Sequence, residues 1–223
     1  MMIDELWELH NRLIPDYDGK IFISLTGGLD SRVLAGIISK RRKIDLGYYY
    51  YHDETKYNIP QVIRMRDLLN YKNFVFIKGP GHGITKQKIH PLEEVKKVYN
   101  LKEYTYIVNG FGDIATGMSK TLKRNRQFYM QKGFFVPGGF YAQDFMTLKY
   151  FKTAHNPLWT PEFIGYLHSM PKYMRLFQYA YIQMIKKYLP KLYEVPRCYE
   201  NGSGNPTKLD WYPIRRLIDK VTK

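Results

Sequence analysis

The sequence predicts an α/β fold: a parallel sheet with helices on both faces, followed by a helical C-terminal portion. Short apolar runs alternate with amphipathic stretches over the first 110 residues, and such alternation is typical of strands joined by crossover helices. Beyond that point the apolar runs disappear and helical spacing dominates. We therefore expect a single domain over residues 1–223, with an α/β part at about 18–125 and a mainly helical part at about 139–223.

Apolar spacing predicts the first three elements. Residues 4–13 place three leucines on one helical face. Lys20–Leu25 is a short apolar run that enters a pair of glycines, which is the pattern of a buried strand. Ser31–Lys40 then carries aliphatic side chains three and four residues apart, so it predicts a helix.

The same alternation continues to the end of the α/β part. Ile44–Tyr51 predicts a tyrosine-rich strand, and Phe74–Ile77 and Tyr104–Val108 predict two more. Amphipathic helices are predicted between these strands, at Ile59–Leu69 and Leu92–Tyr99. Four more helices are predicted beyond residue 139, at Tyr141–Phe151, Pro161–Met170, Tyr173–Tyr188 and Tyr212–Val221.

Positive charge is concentrated in the C-terminal half. The chain has a net charge of +15, and residues 120–223 hold 18 basic and 6 acidic side chains. Such an excess suits a nucleic acid, an anionic substrate such as a nucleotide, or a lysine-rich solvated surface.

Composition excludes several classes of protein. The chain has 12 Phe, 21 Tyr and 3 Trp, which is too much aromatic surface for a disordered chain. No apolar run approaches the roughly 18 residues of a membrane span. A single cysteine, Cys198, excludes an intramolecular disulfide and a cysteine-cluster metal site. We expect a cytoplasmic protein with no membrane partner.

The strongest motif is the glycine loop, defined here as Leu25–Arg32 (LTGGLDSR), which follows the first predicted strand. Gly27 and Gly28 let the backbone approach an anion closely, because no Cβ blocks it. The N–H groups of the following helix then point at that anion, and the helix dipole favours negative charge there. A tight turn before a capped helix is the structural alternative.

Polar side chains in this loop fit phosphate and metal binding. Thr26 and Ser31 add hydroxyl donors. Asp30 would repel a phosphate, so we expect it to hold a Mg²⁺ ion that bridges to phosphate oxygens. The spacing differs from both the Walker loop and the dinucleotide fingerprint.

The glycine loop resembles the pyrophosphatase loop of the ATP-pyrophosphatase (PP-loop) superfamily, Ser-Gly-Gly-x-Asp-Ser, with Thr26 in place of the first Ser. Leu25 and Leu29 make it most similar to asparagine synthetase. A second stretch, Asn109–Asp113 (NGFGD), is similar to that family's Leu-Ser-Gly-x-Gly-x-Asp-Glu motif. It is one residue shorter, and Ile114 stands in the position of the family's Glu.

The resemblance implies an adenine nucleotide alpha-hydrolase-like fold and an ATP-dependent, AMP-forming amide ligase. The nucleotide-binding residues it implies are Leu25, Thr26, Gly27, Gly28, Asp30, Ser31, Asn109, Gly110, Gly112 and Asp113. Of these, Asp30 and Asp113 would bind Mg²⁺. Lys208 would stabilise charge on the α-phosphate as the catalytic cation. Leu25 and the backbone of Tyr48–Tyr50 would flank the adenine.

The resemblance also implies the substrates. Glutamine-dependent asparagine synthetases begin with a cysteine nucleophile after the initiator Met, whereas Met2 and Ile3 occupy those positions here. We therefore expect an aspartate-like carboxylate substrate, and as the nitrogen source free ammonia, a separate glutaminase chain, or glutamine hydrolysed by a different nucleophile.

Two alternatives stay open. A PP-loop tRNA-modifying ligase would act on RNA and would use the basic C-terminal half to bind it. A catalytically reduced relative that binds a nucleotide or nucleic acid would account for Ile114 at the Glu position.

Overall fold

The computed structural model describes residues 2–53, 56–79, 91–107, 149–158, 160–175 and 178–197. Within them, five strands form one sheet in the order β3-β2-β1-β4-β5, and every neighbouring pair is parallel. The strands are β1 (Lys20–Ser24), β2 (Ile44–Tyr51), β3 (Tyr71–Lys78), β4 (Tyr104–Ile107) and β5 (Thr153–His155).

One described helix precedes the sheet, three connect its strands, and four follow its last strand. They are α1 (Met2–Leu13), α2 (Leu29–Arg41), α3 (Ile59–Leu68), α4 (Pro91–Lys96), α5 (Pro161–Ser169), α6 (Lys172–Arg175), α7 (Tyr179–Tyr188) and α8 (Pro190–Tyr193). Parallel neighbours require crossover connections, and α2, α3 and α4 lie in the three connections that lead from β1 to β4. The predicted α/β fold with a parallel sheet is thus confirmed.

Two cores lie on opposite faces of the sheet. Ile21 and Ile23 of β1 belong to the first core, which contains side chains of α1, α2, α3 and α7. Phe22 belongs to the second core, with Leu92 and Val95 of α4. Since successive side chains of a strand point to opposite faces, β1 is buried on both sides, as its continuous apolar run predicts.

Asp45 anchors the amino ends of the strands. Its carboxylate accepts hydrogen bonds from the Ile21 N–H at 3.0 Å, the Arg42 guanidinium at 2.8 Å and the Lys72 ammonium at 2.6 Å. Burial alone would raise the pKa of Asp45, but these three donors outweigh it and hold the pKa below its usual value. A polar cluster therefore stabilises the end of the sheet opposite the glycine loop.

Three predictions about the C-terminal part need correction or cannot be compared. Strands do not end near residue 110, because β5 pairs with β4. The predicted helix Tyr141–Phe151 lies mostly outside the described residues, and its final residues form a turn and bend rather than a helix. The predicted helix Tyr212–Val221 lies wholly outside them.

The predicted helix Tyr173–Tyr188 is interrupted. It consists of α6 and α7, with Gln178 between them at a φ of +59°. The apolar spacing continues across the break, so periodicity alone does not reveal it. The Arg197 guanidinium donates to the Gln178 side-chain oxygen at 2.7 Å, a tertiary contact that holds this residue in the left-handed region.

Candidate functional site

The glycine loop lies at the carboxyl end of β1, the central strand of the sheet. Ser24 pairs with Tyr48 of β2, and Ile23 pairs with Ile107 at the end of β4. The chain builds β2 and β3 on one side of β1 and then places β4 on the other side. The strand order therefore reverses between β1 and β4, and ligands of open parallel sheets bind in the crevice at such a reversal.

The two glycines shape the loop. Gly27 has a φ of +79°, in the left-handed region that residues with a Cβ rarely adopt. Gly28 follows with an extended backbone as the N-cap residue of α2, and a glycine has no side chain with which to cap the helix. The dipole and first-turn amides of α2 therefore favour an anion at this point. The helix begins at Leu29, two residues earlier than predicted.

A hydroxyl pair braces the loop. The Thr26 and Ser31 hydroxyl oxygens lie 3.1 Å apart. The Thr26 N–H donates to the Ser31 hydroxyl, and the Gly28 N–H donates to the Thr26 hydroxyl, both at 3.3 Å. Thr26 is exposed while Ser31 is buried. Thr26 can thus offer its hydroxyl to a ligand, whereas Ser31 holds the loop from inside.

The other predicted residues of the loop have different environments. Leu25 is fully buried, and its N–H donates to the Tyr48 carbonyl at 3.0 Å. These two predicted neighbours of the adenine therefore lie side by side. Asp30 is half-buried in the first turn of α2, where the helix dipole stabilises a carboxylate. The structure thus brings six predicted residues together at one loop–helix junction: Leu25, Thr26, Gly27, Gly28, Asp30 and Ser31.

The second predicted motif and the predicted catalytic cation lie outside the described residues, namely Asn109, Gly110, Gly112, Asp113 and Lys208. Because Ile107 pairs with Ile23, β4 ends beside the strand that leads into the glycine loop. Within the described ranges, no group of three or more His, Cys, Asp and Glu side chains could hold a metal ion. Asp30 is therefore the one predicted metal ligand whose position the structure gives.

Arg32 is a residue of this site that sequence reasoning missed. Its side chain is fully buried, and its guanidinium donates to four backbone carbonyls. They belong to Val195 at 2.6 Å, Leu192 at 2.8 Å, Pro196 at 3.2 Å and Gly27 at 3.4 Å. Buried charges are costly unless they are well hydrogen-bonded, and these carbonyls compensate the cost. The available signal was a charged residue directly before the apolar segment 33–38, in a helix buried on most sides.

The tyrosines of β2 alternate between the two cores. Tyr49 and Tyr51 stack in the first core with ring centroids 6.2 Å apart. Tyr48 packs on Phe22 on the opposite face, at 5.4 Å. Burial raises the pKa of Tyr48, so its hydroxyl stays protonated at neutral pH. These rings support the sheet below the glycine loop.

No protein-family model matches this sequence, and no curated protein matches it in sequence. In the part of the chain that the structure describes, no helix is both long and apolar enough to cross a membrane. The fold and the chemistry of the glycine loop are therefore the features that bear on function.

Proposed function

We propose that this protein is an ATP-dependent, AMP-forming amide ligase similar to the synthetase domain of asparagine synthetase. The observation that carries the proposal is the left-handed Gly27 at the carboxyl end of the central strand, directly before α2, whose N-cap residue is a glycine. A tight turn alone does not need this position at the strand-order reversal. Backbone amides preorganised for an anion stabilise charge that develops on a leaving group.

The reaction would proceed in two steps. A carboxylate oxygen bonds to the α-phosphorus of ATP, and the bond from that phosphorus to the bridging oxygen breaks, so pyrophosphate leaves. The nitrogen of ammonia or an amine then bonds to the acyl carbon. The acyl carbon–oxygen bond breaks, AMP leaves, and the nitrogen loses a proton.

The loop residues have separate roles in this proposal. The Gly28 amide, the first turn of α2 and the Thr26 hydroxyl bind the pyrophosphate group, whose charge would otherwise oppose its departure. Asp30 would hold Mg²⁺, which would supply positive charge to neutralise the phosphate oxygens. Asp113 would be the second metal ligand and Lys208 the cation at the α-phosphate, as the resemblance implies.

Exchange of labelled pyrophosphate into ATP tests the first step, with a panel of amino acids and with and without RNA. Exchange that aspartate or another small carboxylate stimulates is the expected result. We expect Asp30→Asn to abolish the exchange while the thermal unfolding transition stays near that of the wild type. Undiminished exchange in this variant would refute the metal role of Asp30.

Asp67→Asn is the matched control for this experiment. Asp67 is an exposed carboxylate near the end of α3, paired with Arg66 at 2.7 Å. That end of α3 leads into the start of β3, away from the glycine loop. The same change of charge there should leave the exchange rate unchanged.

A tRNA-modifying ligase is the second candidate, because residues 120–223 carry twelve more basic than acidic side chains. Exchange that occurs only with RNA would favour this candidate. ATP binding without any exchange would instead indicate a catalytically reduced relative.

A further inference from the structure

We propose that Arg32 is a positioning residue that sets the orientation of the Gly27–Gly28 peptide and so points the Gly28 amide at a bound pyrophosphate group. The inference rests on the proposed function, because it assigns a role at the same phosphate site. It concerns a residue whose side chain is fully buried, and which therefore acts through the backbone rather than by touching the ligand.

The geometry of the peptide carries the argument. In a trans peptide, the carbonyl oxygen and the following N–H point in opposite directions. The Gly27 carbonyl points inward, where it accepts a hydrogen bond from Arg32 at 3.4 Å. The Gly28 N–H must then point to the other side, where it donates to the hydroxyl of the exposed Thr26 at 3.3 Å, an acceptor that a bound phosphate oxygen would replace or share. Arg32 thus keeps an acceptor away from the ligand side and a donor towards it.

Two glycines make such a constraint necessary. A Gly-Gly peptide rotates easily, because both residues adopt conformations with positive φ at low cost. The flipped peptide would present the Gly27 carbonyl to an anion and repel it. The buried Arg32 guanidinium opposes this flip, since the flip would remove one of its acceptors while its charge stayed buried.

The Arg32 guanidinium is itself fixed by backbone carbonyls of a C-terminal segment. Its strongest bonds go to the Val195 carbonyl at 2.6 Å and the Leu192 carbonyl at 2.8 Å, at the end of α8. The next residues are held too, since Arg197 is buried and bonds to the side chain of Gln178. The planar guanidinium can reach both groups at once because its donors form a rigid fork. The orientation of the loop peptide is therefore fixed by a segment about 160 residues away in sequence.

The test is binding of inorganic pyrophosphate with Mg²⁺, measured by isothermal titration calorimetry on the full chain. Arg32→Lys keeps the positive charge but cannot reproduce the fork. We expect its affinity to be about tenfold lower, the loss of one charge-assisted hydrogen bond. The measurement is made well below the unfolding temperature of each variant, so that loss of fold does not contribute.

Arg42→Lys is the matched control. The Arg42 guanidinium also bonds to a backbone carbonyl, that of Tyr17, and to Asp45, but at the opposite end of the sheet. It should lower the unfolding temperature while the pyrophosphate affinity stays that of the wild type. If Arg32 had a purely structural role, Arg32→Lys would also lower the unfolding temperature and leave the pyrophosphate affinity unchanged. That result would overturn the inference.

The outcomes separate this inference from the proposed function. If the wild type binds no pyrophosphate, both are wrong. If the wild type and Arg32→Lys bind it equally, only the inference is wrong. If Arg32→Lys does not fold, nuclear magnetic resonance of the wild type decides. The Gly28 amide signal must shift on addition of pyrophosphate, and a Gly28 amide that is unaffected at saturation would overturn the inference.

Discussion

The imidazole of His10 and the hydroxyl of Tyr181 lie 3.2 Å apart and join α1 to α7 across 171 residues of sequence. Nδ1 of His10 lies 2.7 Å from the Leu6 carbonyl, which can only accept, so Nδ1 carries a proton. His10 is fully buried, and burial favours the neutral imidazole. In that form, Nε2 accepts a hydrogen bond from the Tyr181 hydroxyl.

This pair predicts a loss of stability in mild acid. Burial lowers the pKa of His10 from 6.5 to about 4, against a smaller opposing effect of the Leu6 carbonyl. Between these two pKa values, His10 is protonated in the unfolded state but stays neutral in the folded state. The free energy of unfolding therefore falls as the pH falls from about 6.5 towards 4. We expect a loss of about 2 kcal/mol between pH 7.5 and pH 5, measured by urea unfolding.

His10→Gln is the control for this pH dependence. Glutamine retains a donor and an acceptor but does not titrate. The variant should lose about 2 kcal/mol of the pH-dependent difference in unfolding free energy between pH 5 and pH 7.5, whatever its stability at neutral pH. An equal slope in both proteins would show that other groups cause the effect.

A methyl group added at Gly47 should lower the stability of the protein strongly. A Cβ at this position of β2 would lie 2.4 Å from the Tyr71 ring and 2.9 Å from the Ile23 carbonyl oxygen. The carbonyl belongs to the backbone of the central strand and cannot move aside. We expect Gly47→Ala to destabilise the protein by about 2 kcal/mol or more, measured by chemical denaturation.

Gly165→Ala adds the same methyl group, but here we expect the free energy of unfolding to rise. Gly165 is exposed in α5, and a Cβ there meets no atom within 4 Å. Alanine favours the helix over glycine, so we expect a gain of about 0.5–1 kcal/mol. A stabilising Gly47→Ala would contradict the tight packing of Tyr71 against β2.

The elements of the α/β half could be predicted from the sequence because their side chains are patterned locally. The apolar run of β1 and the helical spacing of apolar residues in α2 are each contained in one short stretch of sequence. β5 could not be predicted in this way, since Thr153–His155 is three residues long and has no apolar run. It forms by pairing with β4, where the Thr105 and Thr153 hydroxyls lie 3.0 Å apart.

The same distinction applies to the candidate site. The glycine loop could be found because its residue types and spacing carry the chemistry in one short segment. Arg32 lies in that segment too, but its role depends on the Leu192 and Val195 carbonyls. No local pattern specifies a contact over such a distance, so only the folded chain reveals it.

Gly27 offers the most direct test of the loop, because the chain contains a second glycine with nearly the same backbone. Gly27 has a φ of +79°, and Gly19, at the amino end of β1, has a φ of +74°. Alanine in the left-handed region costs about 1–2 kcal/mol. We therefore expect Gly27→Ala and Gly19→Ala to lower the unfolding free energy by similar amounts, as measured by denaturant titration.

The two variants should differ in ligand binding. Relief of the strain at Gly27→Ala turns the following peptide and displaces the Gly28 amide, so we expect pyrophosphate with Mg²⁺ to bind at least about tenfold more weakly. A Cβ on Gly19 meets no atom within 4 Å, and Gly19 lies at the opposite end of the strand. Gly19→Ala should therefore bind pyrophosphate as the wild type does. Equal affinities in the two variants, measured by calorimetry, would show that the conformation of Gly27 does not shape the anion site.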